Sequence, residues 1–236
     1  MTELAPWTSR LAVFDTETTG VDPLEARIVT AFVGLIDENG EVERGTDWLA
    51  DPGVEIPEQA AAVHGITTEM AREEGEPAAE VIAKVRASIE WIARNRVPLV
   101  VFNAPYDLTL LDAECRRHGM EPVSPLLGPQ VVDPLVIDKA IDRYRKGKRT
   151  LVDQAAAYGV ELLDAHSAAD DAIAGGQVAL AIARAFPDEV GQMPLEELHR
   201  RQAAWFDEQA ADFEDYMRRQ RDPAFSAPRG WPVRSA

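Results

Sequence analysis

The sequence is poor in cysteine, in positive charge and in long apolar runs. It holds one cysteine, Cys115, so the chain can form neither an internal disulfide framework nor a cysteine cluster around a metal. A lone thiol fits a reducing compartment, and its expected place is a helix interior, as a small buried hydrophobe. No stretch approaches the roughly 20 consecutive apolar residues of a membrane span. Residues 1–10 lack a long apolar run, and the short run Leu11–Phe14 ends at Asp15, so no secretory signal pattern is present. The expectation is a cytoplasmic protein with no membrane partner. No internal repeat and no low-complexity segment interrupts the sequence.

Lysine and arginine number 24 against 41 aspartates and glutamates, a formal charge of −17. That balance argues against binding long polyanions, which ordinarily rests on a basic face. Two considerations oppose it. Divalent metals reverse the field at an acidic cluster, and an enzyme that grips one strand end needs few phosphate contacts. A nucleic-acid substrate would then be held weakly, with strong salt dependence and little processivity.

Hydrophobic periodicity alternates between strand and helix along the chain, which predicts an α/β protein. Leu11–Thr16 reads as a buried strand. The runs Arg27–Ile36 and Glu41–Leu49 flank Asn39-Gly40, a strong hairpin signal. Pro98–Phe102 and Val131-Val132 complete a mixed five-stranded sheet whose first three strands form an antiparallel meander. Short helical pieces fill 58–75, and full helices are expected over 78–94, 107–118, 150–158 and 167–186. Pro187 ends this pattern. The expected organisation is a domain over 1–186 and, over 187–236, an appended helix and irregular tail. Trp205, Phe206 and Phe213 give that helix an apolar face for packing on the domain, or for contact with another chain.

Three acidic constellations carry the chemistry. Asp15 and Glu17, spaced i and i+2, share one face if the strand continues through them. Two adjacent carboxylates repel unless a cation lies between them, and hard divalent ions prefer such ligands. The alternative is a solvated turn after a strand that ends at Phe14. Asp107, in Asn103-Ala104-Pro105-Tyr106-Asp107, opens a helix directly after a strand. It serves either the helix dipole or a site at the C-terminal edge of the sheet. His166 and Asp171 would lie roughly 140° apart on a helix, so they converge only if His166 sits in the preceding loop. Ser167 is a good N-cap with Asp170 at its capping-box position. Asp171 is left facing the sheet before an apolar run, where burial without a partner is costly.

Taken in order, Asp15/Glu17, Asp107 and His166/Asp171 resemble the DEDD exonuclease superfamily, in the His-bearing subclass of DnaQ-like proofreading exonucleases. The resemblance runs from about Leu11 to Ala185. It implies an RNase H-like fold and 3′→5′ hydrolysis at single-stranded nucleic-acid ends, with DNA favoured over RNA and nucleoside 5′-monophosphates released. It further implies two Mg²⁺ or Mn²⁺ ions about 3.5–4 Å apart. Asp15 would bridge both. Glu17 and Asp171 would complete the site of the ion that activates water, and Asp107 would support the second. His166 would be the general base, since an imidazole titrating near about pH 6.5 accepts protons at neutrality. His64-Gly65-Ile66-Thr67 is similar to a family segment beside the terminal nucleotide. Thr16, Thr18, His64 and Asn103 are the implied substrate contacts. The one basic cluster, Arg143 to Arg149, offers Arg145, Lys146 and Lys148 to backbone phosphate, or is simply a solvated loop. Asp133, in Val132-Asp133-Pro134-Leu135, is read as structural. Residues beyond Pro187 match nothing in the family, and their helix is a candidate contact to a polymerase or to a second copy. An RNA-trimming exonuclease and a non-catalytic binding subunit are the competing readings.

Overall fold

A computed structural model of the chain describes residues 3–162 and 166–235. The meander is β1 (Arg10–Thr18), β2 (Ile28–Asp37) and β3 (Val42–Asp51), paired antiparallel. The hairpin between β2 and β3 closes on Gly40, whose φ of 86° suits glycine, while the Asp37 carboxylate accepts from the Asn39 and Glu41 amides. Two short strands, β5 (Leu99–Val100) and β6 (Val131–Val132), lie parallel to β1.

The sheet has six strands, in the order β4-β3-β2-β1-β5-β6, where five were expected. The addition is β4, the two residues Glu76–Pro77, parallel to β3. Pro77 biases Glu76 toward extended backbone. At Gly75 a Cβ would collide with the Ala71 carbonyl and the Asp51 amide, so the bare backbone lies against β3. Two residues are too few to show a period.

Helices cover both faces. On one lie α3 (Ala78–Arg94) and α4 (Ala104–Arg117), while α1 (Glu58–His64) and α2 (Thr68–Glu74) form a small separate cluster around Val29. The other carries α5 (Pro134–Ile141), α6 (Leu151–Tyr158) and α7 (Ala168–Ala185). β1 lies between them, and Leu11 to Phe14 are buried without alternation, as in a strand covered on both sides. Ala12 and Phe14 pack with Val81, Val85 and Leu108, whereas Leu11 and Val13 pack with Val178 and Ile182. Cys115 is buried in the first of these cores.

The C-terminal helix α8 (Leu195–Gln220) docks on α5 and β6. Buried Gln202 accepts from the Asp133 amide at 2.6 Å and donates to the Val131 carbonyl at 3.1 Å, satisfying the backbone of the edge strand. Trp205 joins the core beneath α7, while half-exposed Phe213 meets Phe225 edge to face. Among the described residues, no helix is long and apolar enough to cross a membrane.

Close approach of α7 to β1 depends on Gly176, where a Cβ would come within 2.5 Å of Ile36 Cδ1 and 2.6 Å of Val13 Cγ1. Alanine is the better helix former, yet Gly176→Ala should destabilise the protein by about 1–2 kcal/mol through overpacking. Urea unfolding measures this, and a neutral or stabilising result would refute the packing argument.

Candidate active site

β1 continues to Thr18, with Asp15 opposite Phe32 and Glu17 opposite Thr30 on β2. The acids are therefore strand residues and not a solvated turn. They follow Leu11 and Val13 on the face toward α7. A register shift between Glu17 and Thr18 then bends the chain away. Thr18 Oγ1 lies 2.7 Å from the Tyr106 hydroxyl, which also donates to the Gly20 carbonyl, so α4 holds this turn in place.

α4 starts three residues earlier than expected, after Asn103 in the left-handed region at φ 64°. No local side chain caps it. The Asn103 and Ala104 amides donate to the two Asp133 carboxylate oxygens, each at 3.0 Å. The same carboxylate accepts from the Leu135 amide at the start of α5. One fully buried aspartate thus satisfies two helix N-termini, which fits the structural role read for it. Asp107 follows in the first turn of α4 and is buried, accepting from Thr16 Oγ1 at 2.5 Å. The Thr16 side chain is accordingly turned to Asp107.

His166 is exposed in the loop before α7, at φ 79°, as convergence with Asp171 requires. The capping box expected of Ser167 and Asp170 does not form, because Ser167 makes no side-chain cap bond. Asp171 folds back instead, and its Oδ1 accepts from the His166 amide at 3.4 Å.

Asp15, Glu17, Asp107, His166 and Asp171 line one open cleft of about 530 Å³. Burial raises the Asp15 carboxyl well above its usual range, and the carboxylates of Asp107, Asp171 and Glu17 push it further. Glu17 is raised to about 8, first by burial and then by Asp171 and Asp107. Burial lifts Asp107 to about 7 against the opposing hydrogen bond from Thr16. No lysine or arginine makes an ion pair with Asp15 or Glu17 among the described residues, and a divalent cation is the counter-charge to test against this donor set. The donor set fits one. Glu17, His166 and Asp171 each offer an atom within 4.8 Å of the others, and oxygen-rich donors suit Mg²⁺ or Mn²⁺.

A neighbouring cavity of about 480 Å³ shares Glu17 and His166 with the cleft and is walled by His64 and Ile66. His64 Nδ1 accepts from the Ile66 amide, and burial holds its imidazole below the usual range.

The arginines of the basic loop have internal partners. Arg145 and Arg149 both bind the fully buried Asp138, at 2.7 and 2.6 Å, and Arg143 pairs with Asp212. Arg145 is thus occupied as an internal counter-ion, while Lys146 and Lys148 are exposed. Sequence reasoning missed Lys139, which lines the cleft from α5. The Asp133-Pro134 pair, an N-cap followed by proline at the first helical position, is the signal that locates that helix.

A family model described as exonuclease, RNase T, matches residues 12–178. A DNA polymerase III subunit epsilon-like protein of Rhodobacter capsulatus is 34% identical over 130 residues, covering 54% of this chain and 18% of the relative. The DNA polymerase III subunit epsilon of Rickettsia conorii is 28% identical over 134 residues, covering 56% and 55%. The structure of E. coli exonuclease I in complex with a dT13 oligonucleotide superposes with a TM-score of 0.63 at 21% identity, covering 76% of this chain and 42% of that one. That likeness is one of fold. The chain spans 18% and 55% of the length of these two curated relatives.

The raised carboxyls bind protons more tightly folded than unfolded, so their contribution to stability is full below the ordinary pKa and is lost as pH rises through the folded one. For Glu17 that window runs from 4.5 to about 8. Metal-free protein should therefore lose thermal stability across it. Glu17→Gln should flatten the loss, and Mg²⁺ or Mn²⁺ should reverse it. A melting temperature in chelator that is flat with pH, or equally steep in Glu17→Gln, would contradict this assignment.

Proposed function

The chain belongs to the RNase T exonuclease family, within the RNase H-like superfamily, and from that premise we propose that it is a metal-dependent 3′→5′ exonuclease acting on single-stranded DNA. The supporting observation is the convergence of Asp15, Glu17, Asp107 and Asp171 with His166 on one open cleft, with no lysine or arginine paired to Asp15 or Glu17 among the described residues. Asp15, Glu17, Asp107 and Asp171 would hold two divalent ions, which would supply charge stabilisation for the attacking and leaving oxygens of a phosphodiester. His166 stands in the loop, outside the carboxylate cluster, and takes the proton of the attacking water on its imidazole nitrogen. Hydrolysis of the terminal linkage then releases a nucleoside 5′-monophosphate.

Orientation of the strand end falls to the surrounding groups. The turn Thr18–Gly20, held by Tyr106, presents its backbone toward the last nucleotide. His64 walls the cavity that shares Glu17 and His166, which suits the terminal nucleoside. Asn103 borders the cleft, and Lys146 and Lys148 extend from the exposed loop toward backbone phosphate. Residues 1–186 form the exonuclease unit in this reading, with 187–236 as its appendage. DNA is favoured because the epsilon relatives are named for a DNA polymerase and the exonuclease I structure holds a dT13 oligonucleotide. The same names make a polymerase a reasonable partner for the exposed side of α8.

Incubation with 5′-labelled DNA and RNA oligonucleotides tests this reading. The expected result is a ladder shortening from the 3′ end of DNA in Mg²⁺ or Mn²⁺, abolished by chelator and by Asp15→Ala. His166→Ala should lower kcat by about 10²–10⁴-fold, the range for loss of a general base. Cleavage that persists in chelator, or full activity in Asp15→Ala, would overturn the mechanism. Faster trimming of RNA would move the substrate to the ribonucleotide class.

A further inference from the structure

The cleft opens on two sides. On one, Glu17 and His166 also line the cavity of His64. On the other, Asn103, Leu135 and Lys139 also line a cavity of about 210 Å³. The far wall of this second cavity comes from the C-terminal segment, through Phe206, Phe213 and Arg234. That segment lies beyond residue 178, where the family match ends. For a strand whose 3′ end sits on the His64 side, the second cavity lies open to the preceding nucleotide across the cleft.

The chemistry of the wall suits a nucleotide. Lys139 and Arg234 make no ion pair among the described residues, whereas the nearby Arg143, Arg145, Arg149 and Arg229 all pair with carboxylates. In a chain of charge −17, two unpaired cations facing one cavity form a local anion site. Arg234 is anchored, because its amide donates to Thr109 Oγ1 on α4 at 2.9 Å. Phe213 is half-exposed and braced edge to face by Phe225 at 5.4 Å, a surface on which a base can stack. Its size gives room for one base and not for a paired duplex.

We infer that the cavity between α5, α8 and the C-terminal tail is a second nucleotide subsite, which holds the nucleotide preceding the 3′-terminal one. Lys139 and Arg234 contact its phosphate, and Phe206 and Phe213 pack on its base. This rests on the exonuclease reading for the direction of the strand. It gives the appendage a role in holding single-stranded substrate where the rest of the surface repels it.

Binding of a fluorescein-labelled oligothymidylate, measured by anisotropy in an Asp15→Asn background with Mg²⁺, tests the subsite without degradation. Lys139→Gln with Arg234→Gln should weaken Kd by about 10-fold and lower the salt slope by about 0.7, the loss of one neutralised single-strand phosphate. Phe213→Ala, at an exposed position that leaves folding intact, should weaken Kd by at least about 5-fold. Thymidine 5′-monophosphate, measured by competition, should keep its affinity in all variants. Unchanged oligonucleotide Kd, equal loss for mononucleotide and oligonucleotide, or no oligonucleotide binding before substitution would each overturn the inference. The exonuclease reading fails separately, if unsubstituted protein binds the oligonucleotide but does not cleave it in Mg²⁺ or Mn²⁺.

Discussion

Mutual repulsion among buried and partly buried carboxylates governs this structure. Asp15, Glu17 and Asp107 are each raised by burial, and Asp15 and Glu17 further by their acidic neighbours. Nothing in the local backbone would hold such a cluster together. Rigid elements impose it. β1 is fixed by side chains buried on both faces, α7 is drawn onto it at Gly176, and α4 is pinned at its first turn. Strain of this kind persists where the surrounding packing over-determines it. A divalent cation bound there, as proposed, would turn that repulsion into ligation.

Behind the cluster lies a second carboxylate with a different task. Asp133 is fully buried, but its oxygens are saturated by the amides that start α4 and α5 and by Trp231 Nε1 at 3.3 Å. Its own amide is taken by Gln202 of α8. The appended segment is therefore bonded to the residue that sets the starts of α4 and α5, which carry Asp107 and Lys139. Ordering of residues 195–235 and alignment of the cleft are linked through Asp133.

Much of this was legible in the sequence, for reasons that can be named. The buried run from Leu11, the hairpin at Asn39-Gly40 and the helix from Ala78 to Arg94 each carry a strong apolar, turn or period signal, whereas that run alone leaves open whether the strand continues through Glu17. The order of the acidic motifs pointed to the family. Illegible features depend on partners distant in sequence or on elements too short to show a period. Glu76–Pro77 pairs with β3 only because Gly75 allows contact. Arg145 and Arg149 resemble a phosphate-binding loop until α5 brings Asp138 beneath them. Ser167 has the sequence of a cap, but Asp171 turns to the His166 amide instead. Lys139 was overlooked because the eight-residue helix bearing it was not recognised.

On the proposed function, the raised carboxyls around Asp15 form a divalent-cation site. Calorimetric titration of Mn²⁺ into metal-free protein at pH 7, repeated in two buffers of different ionisation enthalpy, tests it most directly. The expected result is saturable binding of two ions with net release of protons, because metal binding displaces the proton held by Glu17, whose carboxyl is raised to about 8. Loss of at least one ion is expected in Asp15→Asn. Absence of saturable binding, or binding without proton release, would contradict it.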